Sequence, residues 1–234
     1  HTRGVSRWRI RHVDDASFYT LRTNIRRGRW NSRTRGTLWI YFSGHGYVNE
    51  EGQRMLMGTD VDPTDPNSHS MTLDEIISLS SGSRSERVII ILDAGFGNIG
   101  RDGFELIPGN DIEVEDGFGD LPDNVFVWAA DRGSEPANSY DLANHGLHTY
   151  TVLGALRGWA NGAIDGEPDG EIRIDEIQRF TSRIQRHLGR PTQPSIELRP
   201  EVLDQVLISG RYFERNPDPA RFSLMAQSDL EHRI

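Results

Sequence analysis

The 234-residue chain has no cysteine. That excludes a disulfide framework, a thiolate metal site and a thiol nucleophile in the chain as it stands. Lysine is missing too, all 26 Lys+Arg residues being arginine, so Schiff-base chemistry through lysine is closed. Exclusive use of arginine points to a G+C-rich, bacterial genome. Long apolar runs are also lacking: those present, such as Val88–Leu92, fall far short of the ~20 residues of a membrane-spanning helix. No charged-then-apolar signal segment opens the chain, so the expectation is a cytoplasmic protein with no membrane partner. The chain length suits one α/β domain or two small ones with an ample core.

What is present is unevenly charged. The net charge is −9. Residues 1–35 hold ten arginines against Asp14 and Asp15, a balance of +8, which leaves −17 for the remainder. Such a basic start suits a solvated face or a larger assembly. It contains Trp8, Phe18, Tyr19 and Trp30 but no nucleic-acid motif, so nucleic acid is not the expected partner.

Two dense apolar runs read as buried parallel strands, Thr37–Phe42 and Arg87–Leu92, because a sheet covered on both faces needs continuous β-branched and apolar residues. Between them Met71–Leu79 reads as an amphipathic helix, with Thr72 and Glu75 placed as a capping box. Strand, helix, strand in that order implies a right-handed parallel crossover. Asn124–Ala130 is a third strand, His148–Leu156 and Ile174–Leu188 are helices, and Gln205–Ser209 closes the fold as a last strand. Residues 102–123, with eight acidic residues and no basic one, read as a solvated connector. With its first convincing strand near residue 38, the domain is expected to lack its first strand and helix. The fold class is α/β, with a mostly parallel sheet and helices on both faces.

In open α/β sheets ligands bind beyond the carboxyl ends of the strands. Two strands end there in polar, glycine-flanked turns, Ser43-Gly44-His45-Gly46 and Asp93-Ala94-Gly95-Phe96-Gly97. Neighbouring parallel strands bring His45 opposite residue 95, as in a two-residue acyl-transfer site. The separation, 95 − 45 = 50 residues, is that between the histidine and cysteine of caspases.

On these motifs the chain resembles the caspase-like cysteine peptidases, in their bacterial and metacaspase-type branch. Tyr41–Gly46 is similar to that branch's histidine motif. Ile91–Gly97 is similar to its Asp-x-Cys motif, with Gly95 in the cysteine's place. Trp128–Asp131 and His145-Gly-Leu-His-Thr-Tyr150 resemble its small-subunit half. The resemblance implies a caspase-like three-layer sandwich: an Arg-rich start at 1–36, a large-subunit-like half at 37–101, the acidic linker at 102–123, a small-subunit-like half at 124–210 and a tail at 211–234. It implies His45 as base or ion-pair partner of a thiolate, and the amides of Gly46 and residue 95 as an oxyanion hole, each donor worth ~3 kcal/mol. It further implies a protein or peptide substrate with Arg or Lys before the scissile bond. Asp93 and Asp131 would be the carboxylates that receive the guanidinium, and Arg101 a self-processing point. Gly95 has no side chain, so thiolate attack is impossible here. Two readings stay open: a cysteine exchanged to trap an uncut form, or a natural pseudopeptidase that binds peptides or serves as an effector subunit.

Two further patterns need placing. Gly95-Phe-Gly-Asn-Ile-Gly100 is formally a dinucleotide fingerprint, but that motif must open a helix, and Gly103, Pro108 and Gly109 follow. Asp165, Glu167, Asp169, Glu171 and Glu176 fall on ligand positions of a calcium loop, with Gly170 at its turn. Calcium is one candidate ligand of this loop, although the peptidase chemistry requires no cofactor. Pro168 stiffens that loop, and an acidic turn capping the next helix is the alternative. The remaining histidines, His148 among them, lack metal-ligand spacing, and packing is the role expected of His148.

Overall fold

The computed structural model describes residues 6–100, 103–110, 112, 117–130, 137, 139–140, 145–188, 195–197 and 203–210. Its centre is a sheet whose strand order, β1-β5-β6-β10, is built from β1 (Thr37–Ser43), β5 (Arg87–Asp93), β6 (Val125–Ala129) and β10 (Ser195–Glu197). The first three are parallel, with Ser43 beside Asp93 and Ile91 beside Trp128, and β10 joins β6 antiparallel. The protein is thus mixed α/β.

The alternation of side chains along each strand splits the core in two. Val88, Ile90 and Leu92, with Val127 and Ala129, meet Leu73, Ile76 and Ile77 of α2 (Leu73–Ser81) and the half-buried Phe18 and Ile25 of α1 (Phe18–Asn31). Ile89, Ile91, Phe126 and Trp128 meet Val152 of α3 (Leu147–Gly154) and Ile177, Phe180 and Ile184 of α4 (Ile174–His187). Each such side chain, once buried, contributes about 1.5–3 kcal/mol. Helices therefore lie on both faces of the sheet.

Local chemistry sets the helix starts. Thr72 accepts the amide of Glu75, as the capping pattern predicts, while the Glu75 carboxylate reaches across to Arg22 at 2.7 Å. Ser17 caps α1 through the amide of Thr20. α1 itself is a correction: a helix does precede β1, although the arginine-dense segment shows little helical periodicity. α3 continues into a wide turn, Ala155–Trp159, where Gly158 takes φ +129, a conformation that only glycine adopts at ease.

Small sheets surround the main one. β2 (Gly46–Val48), β3 (Arg54–Met57) and β4 (Ser70–Thr72) form an antiparallel ribbon directly after β1. β7 (Ser139–Tyr140) pairs with β8 (His145–Gly146). The expected last strand exists as β11 (Val206–Ser209), but it pairs with β9 (Glu171–Arg173) and not with the central sheet. The antiparallel edge of the central sheet is β10, whose short Ser-Ile-Glu run carries almost no periodic signal.

The acidic connector is also more than a solvated loop in its described part. Ile107 and Phe118 are buried, and Ile112 and Leu121 pack against the core. Asn98, itself buried with φ +57, accepts the amide of Ile107 at 2.8 Å and donates to the carbonyls of Ile107 and Asn110. Apolar residues spaced among the acids make the anchorage. Asn98→Ala orphans these backbone groups and is expected to cost about 1–3 kcal/mol, measured as a lower unfolding midpoint with faster proteolysis between residues 103 and 123.

Candidate active-site region at the carboxyl end of the sheet

β1 and β5 end side by side, about 4.8 Å apart as neighbouring strands must be, so their two glycine-flanked turns share one end of the sheet. The Gly44 amide donates to the Asp93 carbonyl, and the His45 carbonyl accepts the amide of Met57 in the ribbon. His45 is exposed and Gly46 buried. A Cβ on Gly46 would lie 2.8 Å from the Phe96 ring and 2.9 Å from the Met55 carbonyl. The histidine turn is thus pressed against the residue that follows Gly95, and glycine is required for so close an approach. The two turns thus lie at the same end of the sheet, with Gly46 against Phe96.

Asp93 is fully enclosed, with none of its surface exposed. Its Oδ2 accepts the Thr149 amide at 3.2 Å and also the Thr149 hydroxyl. The Tyr41 hydroxyl stands 2.9 Å from that same Thr149 oxygen. Since the Thr149 proton goes to the carboxylate, Tyr41 must be the donor in that pair. Oδ1 of Asp93 has no hydrogen-bond partner among the described residues. Gly146 covers the carboxylate so closely that a Cβ there would sit 1.9 Å from Oδ2. Beyond this relay, Tyr41, Ile91, His145, Thr149, Val152 and Leu153 line a cavity of about 220 Å³.

His148 lies beside this group and is fully buried. Burial pushes its pKa below the ordinary histidine value, while the Asp93 carboxylate and the Trp128 carbonyl pull it back up. Desolvation is the larger effect, so the imidazole is neutral. The sequence reading assigned roles to Asp93 and His45 but none to Thr149, Gly146 or Tyr41. The His-Gly-Leu-His-Thr-Tyr block was visible, yet nothing local tells that its threonine reaches back 56 residues to a strand end.

Asp131 and Arg101, expected in the substrate pocket and the processing point, lie outside the described residues. The five acidic residues of the candidate calcium loop are placed, and the carboxylates of Asp165, Asp169, Glu171 and Glu176 already have partners. Arg173 bridges Asp169 and Glu171 at 2.7 Å each, which lowers the pKa of Asp169. Glu176 accepts the Gly162 amide at 2.7 Å and the Arg173 amide at 2.9 Å, capping α4. Asp165 accepts the Glu167 amide at 3.0 Å. Among the described residues no group of three or more His, Asp or Glu side chains is gathered as a metal site. Nor is any helix among them long and apolar enough to cross a membrane.

No protein-family model matches the chain, and no curated protein matches it. Among solved structures it is similar to a structural-genomics crystal structure of a protein from Geobacter sulfurreducens. The two are 15% identical with a TM-score of 0.49, over 81% of this chain and 77% of the other.

Proposed function

We propose that the chain is a catalytically silent member of the caspase-like cysteine peptidases, built on their three-layer sandwich, with Gly95 in the nucleophile's place. In this reading His45 is the residual base, and the amides of Gly46 and Gly95 are the residual oxyanion donors. Asp93 is the carboxylate that selects a basic residue, Arg above Lys. The observation that carries it is the pairing of the two strand ends, Ser43 beside Asp93, with Gly46 against Phe96. A restored thiol would attack the scissile carbonyl as thiolate, with His45 taking its proton and later passing it to the leaving amine.

A second reading keeps the site as a peptide-binding pseudopeptidase or effector subunit, and both readings need the same opening of the site. Asp93 is sealed beneath Gly146 and half-occupied by Thr149, so a guanidinium can reach it only after the segment ahead of α3 moves aside.

Gly95→Cys separates the two. The disabled-peptidase reading expects the variant to cleave Arg-ending reporter peptides at least on the order of 10³-fold faster than the Gly95 protein, with loss of that gain on His45→Ala. No cleavage, together with binding of an Arg-ending peptide that Asp93→Ala abolishes, favours the binding module. Neither cleavage nor binding overturns both.

A further inference from the structure

The arginine-rich start takes no part in the site described above, and its described portion presents a definite surface. On α1, Tyr19, Arg22, Arg26 and Trp30 follow each other at spacings of three, four and four residues, which places them in one stripe of the helix. The adjoining side of α1 carries Phe18 and Ile25 into the core. Tyr19 is 75% exposed, Trp30 72% and Trp8, just upstream, 73%. Arg26 stacks on Trp30 and Arg9 on Trp8. Arg22 is partly spent on Glu75 and Arg29 on the Gly82 carbonyl. The others, with Arg27, face solvent. Tryptophan, tyrosine and arginine are the residues that dominate binding energy at protein interfaces.

The chain carries the counterpart of this surface. Against +8 in residues 1–35 stands −17 in the rest. An exposed acidic element among the described residues is the loop Asp165, Glu167, Asp169, ahead of β9. Arg173 answers Asp169 and Glu171, but among the described residues no ion pair reaches Asp165 or Glu167. The two charged surfaces cannot meet within one molecule. α1 packs on the sheet face of Ile90 and Leu92, whereas the loop is tied between Trp159 and Ile172, on the face of Ile89 and Ile91. The sheet stands between them.

We propose that the basic aromatic stripe of α1 docks a second copy of this chain, receiving its acidic loop at Asp165 and Glu167. The contact is head-to-tail, so each copy offers both halves and assembly is open-ended unless the rotation closes a ring. Screening confines the attraction to about 8 Å at physiological ionic strength. The local positive stripe therefore outweighs the overall negative charge for a small acidic loop. A long polyanion such as duplex DNA would reach beyond the stripe into the negative remainder. None of this depends on the peptidase reading.

Light scattering on the full chain tests it. At about 50 mM salt the mass should exceed the 26.5 kDa monomer and rise with concentration, returning to the monomer near 0.5 M. Arg26→Glu with Arg27→Glu, and separately Asp165→Arg with Glu167→Arg, should each be monomeric at low salt with unchanged circular dichroism. An equimolar mixture of the two variants should associate again, because their altered surfaces complement one another. A monomer at every salt concentration, association indifferent to salt or to these reversals, or failure of the mixture to reassociate would overturn the proposal. So would tight duplex-DNA binding by a chain that stays monomeric.

Discussion

Gly146→Ala is expected to destabilise the protein by about 3 kcal/mol, at the upper end of the usual cost of overpacking. The added methyl would meet the Asp93 carboxylate at 1.9–2.6 Å, and neither partner has room to yield. Asp93 is held by Thr149, and Gly146 is the last residue before α3. The clash is specific, so it has a specific remedy. In an Asp93→Ala background the same substitution should cost under about 1 kcal/mol, and a double-mutant cycle on chemical unfolding would read the difference as coupling. Additive effects would mean that the segment ahead of α3 does not rest on Asp93. The seal over the carboxylate would then be absent.

His148 should govern stability below neutral pH. Its folded-state pKa is depressed by burial below the value of 6.5 that it has when unfolded. Between those two values the unfolded chain binds a proton that the folded chain refuses, so stability falls as the pH falls through 6.5. The slope approaches about 1.4 kcal/mol per pH unit until the folded pKa is reached. Above 6.5 both states hold a neutral imidazole and the contribution is flat. His148→Phe removes the titrating group and keeps a ring in the enclosed position. Unfolding midpoints measured from pH 8 down to pH 5 should therefore drop less steeply for the variant than for the parent. Parallel profiles would show that His148 is not held neutral by its surroundings.

The three parallel strands and the helices α2, α3 and α4 were legible in the sequence, because each carries a strong pattern. Arg87–Leu92 is an unbroken β-branched run, and α4 has apolar residues at helical spacing behind an acidic first turn. α1 was missed because its inward side holds only Phe18, Leu21 and Ile25 among many arginines. β11 was legible as the last strand, but its pattern fixes a strand and not a neighbour. Pairing is decided by β9, which is only three residues long. Of the proposed site residues, His45, Gly46, Asp93 and Gly95 lie in glycine-flanked turns at strand ends, which is a local signal. The relay from Tyr41 through Thr149 to Asp93 joins three separate elements, and no spacing rule announces such a contact. At the acidic loop, the alternative of a turn capping the next helix has its counterpart in Glu176, whereas the two carboxylates taken by the Arg173 guanidinium are announced by no spacing rule.

The central claim is that an imidazole faces the position where a sulfur would act. The chain has no cysteine of its own, so a thiol introduced by Gly95→Cys would be the sole alkylation target. Its rate of reaction with iodoacetamide, followed against pH, reports its pKa without any need for a substrate. The account predicts a midpoint well below the ~8.5 of a free cysteine, rising toward that value when His45→Gln is added. The same midpoint with and without His45 would contradict it.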